Sequence, residues 1–195
     1  EDAARLFGIM GGKEIELLAP KPVKGLTFAI LKTVAMENVV DLPKKAFQNS
    51  IEKLREAGAN ISEISVSSVG EAMDLTGLLY SPEAYATWRH KIEKSPDLMF
   101  EKILERFRSG ANVLASDFIN AWDKLIDLRK QYYSEVEAYD AVLIPTSPII
   151  PPEIGRLMDD GDFYNSQNLL ALRNTRIGNL MGGCSITLPT NIPSC

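Results

Sequence analysis

The sequence predicts an α/β fold, and three observations lead to that prediction. An apolar, β-prone run at residues 26–31 is followed by an amphipathic helix that ends near Gly58, and a second β-prone run covers residues 61–66. Strand, helix and strand in this order predict a parallel pair joined by a right-handed crossover. A third strand is predicted at residues 141–144, because four consecutive apolar residues are typical of an interior strand covered on both faces.

The chain opens with a predicted helix whose apolar face comprises Leu6, Phe7 and Met10. Its first residue is Glu1 rather than methionine, so the sequence begins inside or at the edge of an element. The last residue, Cys195, follows a predicted strand after only a few residues. We therefore expect the chain to be one part of a longer polypeptide, truncated on both sides.

The crossover helix has a recognisable start. Asp41 precedes Leu-Pro and is predicted to be the N-cap, since a proline is tolerated in the first turn of a helix. Phe47, Ile51 and Leu54 then recur at helical spacing, and they predict the face that packs against the sheet.

Residues 70–137 are predicted to form a run of helices that inserts between the second and third strands. Breaks are expected where a serine precedes proline or glycine, at Ser81–Pro82, Ser95–Pro96 and Ser109–Gly110. Two apolar stripes at helical spacing predict packed faces: Phe100, Ile103, Leu104 and Phe107, and then Phe118, Trp122, Leu125 and Ile126.

Three elements are predicted after the third strand. The acidic run at residues 159–162, "DDGD", lacks the alternating ligand spacing of a calcium loop, so we interpret it as a solvated loop. A helix is predicted from Asn165 to about Met181, and a strand at residues 185–188.

Composition excludes several classes of function. A net charge of -5 and a pI near 5.0 argue against a nucleic-acid surface, which needs concentrated lysine and arginine. The sequence contains neither an apolar run long enough to cross a membrane nor a secretory signal pattern, and a cytoplasmic location is expected. Cys184 and Cys195 lack metal-ligand spacing, so we expect a small buried thiol at Cys184 and an incidental one at Cys195.

The residues alone assemble no complete catalytic or cofactor motif. His90 is the single histidine, lies in a charged stretch, and is interpreted as an exposed helical residue. Neither glycine pair belongs to a phosphate-binding loop or a dinucleotide fingerprint, so no cofactor and no metal are expected. Gly182–Gly183 is interpreted as a helix C-cap, although its backbone N–H groups could also face a ligand.

Three stretches together resemble the C-terminal portion of the amidase-signature family. They are "EDAARL" at residues 1–6, "YDAVLIPTSPIIPP" at 139–152 and "RNTRIGNLMGGCSITLPTNIPSC" at 173–195, in the order found in that family. The resemblance implies an α/β/α fold around a mixed β-sheet. It also implies that residues 1–195 are the C-terminal part of a single domain, with a helical insertion at about 70–137.

The same resemblance implies a chemistry. Members of the family hydrolyse amides with a Ser–cis-Ser–Lys triad through an acyl-enzyme, and backbone amides stabilise the oxyanion. The Gly-Ser-rich signature and the catalytic lysine are absent from this sequence, because the family places them upstream of the position that matches Glu1. The resemblance therefore implies a parent amidase, no catalytic residue in this chain, and no activity for the chain alone.

What the resemblance assigns to this chain is a wall of the substrate pocket. Thr146, Ser147 and Pro148 follow the third strand, and Arg173 and Asn174 lie on the last helix; all five are expected to approach a small-molecule amide. The alternatives stay open: Thr146 and Pro148 would shape a turn, and Arg173 would cap a helix or pair with a carboxylate.

The resemblance also bears on the substrate and on partners. In glutamyl-tRNA(Gln) amidotransferases the related component carries an acidic residue where this chain has Leu172 or an uncharged neighbour, so an uncharged or aromatic amide is favoured over glutamine. That amidotransferase component and a non-catalytic module with the amidase fold remain the alternatives. Uncovered strand edges would favour association, of which a homodimer is one form.

Overall fold

A three-stranded sheet forms the centre of the fold in a computed structural model that describes residues 2–12, 19 and 21–190. Its strands β1 Thr27–Leu31, β2 Asn60–Ile64 and β3 Ala141–Leu143 pair in the order β2-β1-β3, and β1 is parallel to both neighbours. The predicted α/β class and the parallel β1–β2 pair are confirmed. The mixed sheet of the resemblance would need an antiparallel strand, whereas these three are parallel to one another.

The described residues also form eight α-helices. They are α1 Asp2–Gly11, α2 Asp41–Glu56, α3 Ser67–Asp74, α4 Thr76–Ile92, α5 Glu101–Ser109, α6 Ala115–Val136, α7 Ile154–Asp159 and α8 Gly161–Met181. Short 3-10 turns at Pro96–Leu98 and Gly110–Asn112 flank α5. None of the helices in the described part of the chain is long and apolar enough to cross a membrane.

Burial concentrates on β1 rather than on β3. Ala29 and Leu31 are fully buried and Phe28 and Ile30 nearly so, and both faces of β1 are covered because successive side chains point to opposite sides of a sheet. In β3, by contrast, Ala141 is exposed. The prediction of an interior strand at 141–144 is therefore wrong for the described strands, since β3 lies at the edge of the sheet.

The main core lies where α3, α4, α6 and α8 meet the end of β1. Its largest buried members include Leu31, Val69, Leu79, Leu125 and Leu180. Burying these aliphatic side chains supplies the dominant stabilising term, at roughly 25 cal/mol per Å² of apolar surface. The position of α8 is therefore fixed by packing against α3 and α6.

The predicted helical run is correct in outline and wrong at one break. Helices end near Ser95–Pro96 and Ser109–Gly110 as expected, but α4 continues through Ser81–Pro82. Of the two predicted stripes, Leu104 and Leu125 are buried. Other members of the stripes are more exposed, including Phe100 and Ile126.

The start of α2 is shifted by one residue. Val40, not Asp41, has the extended backbone of the capping position, and no side chain caps this helix. Asp41 is instead the first helical residue, where its carboxylate interacts favourably with the positive end of the helix dipole. The predicted packing face is confirmed at Ile51, which is buried.

The acidic run at residues 159–162 is not a loop. It ends α7 and starts α8, and the Asp160 carboxylate accepts a hydrogen bond from the Phe163 N–H at 2.9 Å. The predicted solvated loop is therefore wrong, and the last helix begins at Gly161 rather than Asn165. The spacing of Asp160 and Phe163 is that of an N-cap, which satisfies one of the unpaired N–H groups of the first turn.

Asp160→Ala is expected to lower the free energy of unfolding by about 1 kcal/mol, because it removes the only side-chain acceptor seen at the start of α8 in the described residues. Urea unfolding followed by circular dichroism measures this. Asp159→Ala is the matched control, since Asp159 is exposed and caps nothing in the described residues. Equal losses in the two variants would contradict the capping role.

The predicted strand at 185–188 is also absent, since residues 183–190 are exposed and form no regular element. Gly182 has a left-handed backbone, with φ of 67°, and ends α8. Its N–H and that of Gly183 donate to the carbonyls of Asn179 and Gly178, which confirms the predicted C-cap. Glu1 and Cys195, on which the predicted truncation of the chain partly rests, lie outside the described residues.

Candidate wall of the substrate pocket

Asn174 is the most constrained of the predicted site residues. Its side chain is fully buried on α8, and its amide donates to the carbonyls of Ala35 at 2.9 Å and Pro145 at 2.7 Å. Its Oδ1 accepts from Arg173 Nε at 3.0 Å. The two bonds of the Asn174 amide join α8 to the loop after β1 and to the turn after β3.

Arg173 completes this connection. It is only 9% exposed, and one Nη donates to the Ala35 carbonyl at 3.4 Å. Burial lowers the pKa of Arg173, while the nearby Glu37 carboxylate opposes that shift. Arg173 therefore contributes to the packing of the β1–α2 loop through the Ala35 carbonyl, and its predicted roles in the pocket, in capping or in pairing with a carboxylate stay predictions.

The loop held by Arg173 and Asn174 is conformationally unusual. Val34 and Asn38 have positive φ angles of 60° and 49°, which side-chain-bearing residues rarely adopt. For a β-branched valine this backbone is strained, and such strain persists only where surrounding contacts hold it. The Ala35 carbonyl bonds and the Glu37 carboxylate, which accepts from the Val34 N–H, supply those contacts.

The turn after β3 lies at the same edge of the sheet. Pro148 is buried, and its carbonyl accepts from the Val40 N–H at 2.9 Å. The Ser147 hydroxyl is occupied by the backbone of Ile149, donating to its carbonyl and accepting from its N–H. Thr146 is exposed, and its hydroxyl is 3.4 Å from that of Thr187.

The structure thus brings the two predicted segments together through the Pro145 carbonyl and Asn174. Both lie beyond the carboxyl ends of parallel strands, where open α/β sheets place their ligands. Of the five residues, only Thr146 is exposed, and its hydroxyl bonds that of Thr187, whereas Ser147, Pro148, Arg173 and Asn174 have backbone or mutual partners. The role of all five in binding a substrate stays a prediction.

A second feature lies on the outer side of α8 and is not predicted from the sequence. A half-open cleft of about 180 Å³ runs between α4, α6 and α8. Its lining is an apolar floor with a polar edge, formed by Leu79, Tyr80, Glu83, Trp122, Leu125, Arg129, Asn179 and Leu180. These residues come from three helices that are far apart along the chain, so no local motif indicates them.

Two polar members define the edge of this cleft. Arg129 donates from Nε to the Leu180 carbonyl at 2.6 Å, and its guanidinium lies 5.6 Å from the centre of the Trp122 ring. Burial raises the pKa of Tyr80, and the charges of Arg176 and Arg129 oppose that rise. The Tyr80 hydroxyl therefore stays protonated at neutral pH and can donate a hydrogen bond.

The remaining chemistry-bearing residues lie apart from both features. His90 is exposed in the last turn of α4, as predicted. Cys184 is an exposed free thiol, so the prediction of a buried thiol is wrong: residues 183–190 are exposed and form no regular element. Within residues 2–12, 19 and 21–190, no three His, Cys, Asp or Glu side chains come close enough to hold a metal ion.

Comparison with known proteins identifies the family. The sequence profile described as Amidase matches residues 12–193, and the chain belongs to this family. The match includes both segments of the pocket wall and both walls of the cleft on α4 and α8. The predicted resemblance to amidase-signature proteins is confirmed.

Two curated relatives match most of this chain and carry different names. A 2-amino-5-chloromuconic acid deaminase from Comamonas testosteroni is 27% identical over 98% of this chain and 42% of its own length. The A component of a glutamyl-tRNA(Gln) amidotransferase from Exiguobacterium is 25% identical over 86% of this chain and 39% of its own length. The chain thus spans about two fifths of these curated relatives.

A solved structure shows the same fold. A protein described by its crystal structure as an amidase superposes with a TM-score of 0.66 over 79% of this chain and 35% of that chain, at 22% identity. At this level of identity the likeness defines the fold and leaves substrate and mechanism open.

Proposed function

We propose that the protein to which this chain belongs is an amidase that hydrolyses a small carboxylic amide to an acid and ammonia. A serine hydroxyl attacks the amide carbonyl, the C–N bond breaks with release of ammonia, and water then cleaves the resulting ester to regenerate the serine. The Ser–cis-Ser–Lys residues are expected upstream of this chain. The observation that supports the proposal most directly is the family match over residues 12–193.

In this proposal the chain contributes a pocket wall and no catalytic residue. The serine hydroxyls of its described part that form hydrogen bonds bind backbone carbonyls or, for Ser62, the Tyr139 hydroxyl. Thr146, which is exposed, would contact the substrate through its hydroxyl in place of Thr187, while Asn174 and Arg173 hold the neighbouring loop in place. The chain by itself is therefore expected to hydrolyse no amide.

The A component of a glutamyl-tRNA(Gln) amidotransferase is the second candidate, because a relative of that name matches 86% of this chain. Glutamine carries an α-amino group, which needs a carboxylate partner in the pocket. Leu172, the position that the resemblance aligns with that acid, is an apolar residue 47% exposed on α8. An amide without an amino group suits this position better, which favours the simple amidase.

Ammonia release from benzamide, propionamide and glutamine by the full-length protein tests the proposal. We expect release from at least one simple amide without any partner protein. In the same assay, Thr146→Val is expected to lower kcat/KM about three- to tenfold, as loss of one substrate hydrogen bond would, and Thr146→Ser to restore most of it. Release of ammonia from glutamine but from neither simple amide, and only when partner proteins are present, would favour the amidotransferase.

The exposed apolar face of α1 supports an association of this helix with another polypeptide segment. Leu6, Phe7 and Met10 are 59%, 69% and 86% exposed, although their spacing is that of a packed helix face. The remainder of the parent polypeptide and a second copy of the chain are the two proposed occupants of this face.

A further inference from the structure

The segment of residues 183–190, which follows α8, turns back toward the pocket wall. Its first part lies against α8, since a Cβ added at Gly178 would be 2.5 Å from Ser185 Oγ. Further along the segment, Thr187 Oγ1 lies 3.4 Å from Thr146 Oγ1. The segment therefore brings Thr187 to the turn after β3, where no local motif places it.

Arg129 on α6 fixes the point at which this segment leaves α8. It donates from Nε to the Leu180 carbonyl at 2.6 Å and from Nη2 to the Asn179 carbonyl at 3.4 Å. Both carbonyls belong to the last turn, where a helix lacks N–H partners of its own and where a positive charge is favourable. The guanidinium also packs on the turn that ends α8, because a Cβ added at Gly182 would be 3.3 Å from Arg129 Cζ. Arg129 therefore sets the direction in which the chain continues.

The contact between Thr146 and Thr187 is weak. The Thr146 O–H donates to Thr187 Oγ1 at 3.4 Å, which is longer than the roughly 2.5 to 3.0 Å usual between two hydroxyls. Both residues are exposed, and the O–H of Thr187 has no protein acceptor in the described part of the chain. A ligand can therefore replace this bond and contact both hydroxyls.

Two neighbouring hydroxyls suit an uncharged polar group. Each threonine hydroxyl has one O–H donor and two acceptor lone pairs. A primary carboxamide offers a carbonyl acceptor and N–H donors, so one hydroxyl can donate to it while the other accepts from it. A carboxylate offers acceptors only, and neither hydroxyl carries the charge that would offset its desolvation.

We propose that Thr187 is a second substrate-binding hydroxyl of the pocket wall, and that Arg129 is a positioning residue that holds it beside Thr146. The two hydroxyls bind the uncharged amide group of the substrate. Arg129 acts through the backbone at the end of α8 and contacts no substrate itself. The inference rests on the proposed amidase function and adds two residues to its site.

Binding of benzenesulfonamide and of methyl phenyl sulfone to the full-length protein tests the role of Thr187. Neither probe is a carboxylic amide, and only the sulfonamide offers N–H donors beside its oxygens. Calorimetry is expected to show tighter binding of the sulfonamide than of the sulfone. Thr187→Val should weaken the sulfonamide about threefold, the loss of one neutral hydrogen bond, and reduce that preference, while Thr187→Ser should restore most of both.

The same binding measurement tests the positioning role of Arg129. Arg129→Gln is expected to weaken the sulfonamide about threefold and to raise amide hydrogen exchange in residues 183–190. Arg129→Lys should have a smaller effect, because it keeps the charge and loses the planar fork of donors. In the double variant with Thr187→Val, the loss of affinity should not exceed that of Thr187→Val alone, since both changes remove the same contact.

Lys130→Gln is the matched control, since Lys130 is the next residue on α6 and forms an exposed ion pair with Asp127. It should leave sulfonamide affinity and exchange unchanged, and thermal melts show whether each variant is folded. No sulfonamide binding to wild type, unchanged affinity in Thr187→Val, or additive losses in the double variant would overturn the inference. Because no turnover is involved, these outcomes are separate from a failure of the protein to release ammonia from any amide.

Discussion

Gly110→Ala is expected to lower the free energy of unfolding by about 3 kcal/mol, as severe overpacking does. A Cβ at this position would overlap the carbonyl group of Ser81 and lie 2.6 Å from Pro82 N. These are backbone atoms of a helix, so they cannot rotate away as the end of a side chain would. Urea unfolding with a fluorescence readout from Trp88 and Trp122 measures the loss.

Gly77→Ala is the matched control and lies on α4, the helix that Gly110 contacts. Nothing lies within 4 Å of the Cβ it would add, and alanine is a better helix former than glycine, so it should stabilise the protein by about 0.5 kcal/mol. Opposite signs for the two substitutions would establish that the contact at Gly110 is steric. A small effect at Gly110 would mean that α4 shifts to accept the methyl group.

The same contact explains why the sequence predicts one helix break wrongly. Proline lacks an N–H and usually ends a helix, so Ser81–Pro82 is expected to interrupt α4. In the structure the backbone there packs directly on Gly110, which has no side chain to prevent the approach. The contact links residues on different elements, and a local pattern carries no information about it.

The strands also show how far local sequence patterns can predict the fold. Residues 26–31 and 61–66 are predicted as strands, and β1 and β2 lie within or next to those runs because each finds a parallel neighbour. Residues 185–188 have similar β-propensity and form no strand in the described structure. β-Propensity describes how well a side chain fits a pleated surface. A strand forms only where a pairing partner is also available.

The sequence likewise predicts only part of the candidate site. Family resemblance identifies Thr146, Ser147, Pro148, Arg173 and Asn174, and the structure brings their two segments together. Asn174 also donates to the Ala35 carbonyl, 139 positions away along the chain, and no motif indicates that contact. Sequence reasoning misses the cleft for the same reason, since its lining comes from three helices that are far apart along the chain.

Asn174→Leu is expected to cost about 3 kcal/mol of unfolding free energy and to disorder the β1–α2 loop, because each buried polar group left unpaired costs about 1 to 3 kcal/mol. The change keeps a similar volume, but it leaves the Ala35 and Pro145 carbonyls without this donor and Arg173 Nε without its acceptor. Urea unfolding and amide hydrogen exchange of residues 33–39 measure the two effects.

Asn165→Leu provides the control, because Asn165 is an exposed asparagine on the same helix and should change stability by less than about 0.5 kcal/mol. The strained backbone at Val34 and Asn38 makes the exchange readout decisive: without Asn174 the Ala35 carbonyl loses its closest partner, and the left-handed conformations lose the contact that holds them. Hydrogen exchange in this loop should then rise more than in β2. Uniform exchange across both would mean that Asn174 supports the whole core and not this connection.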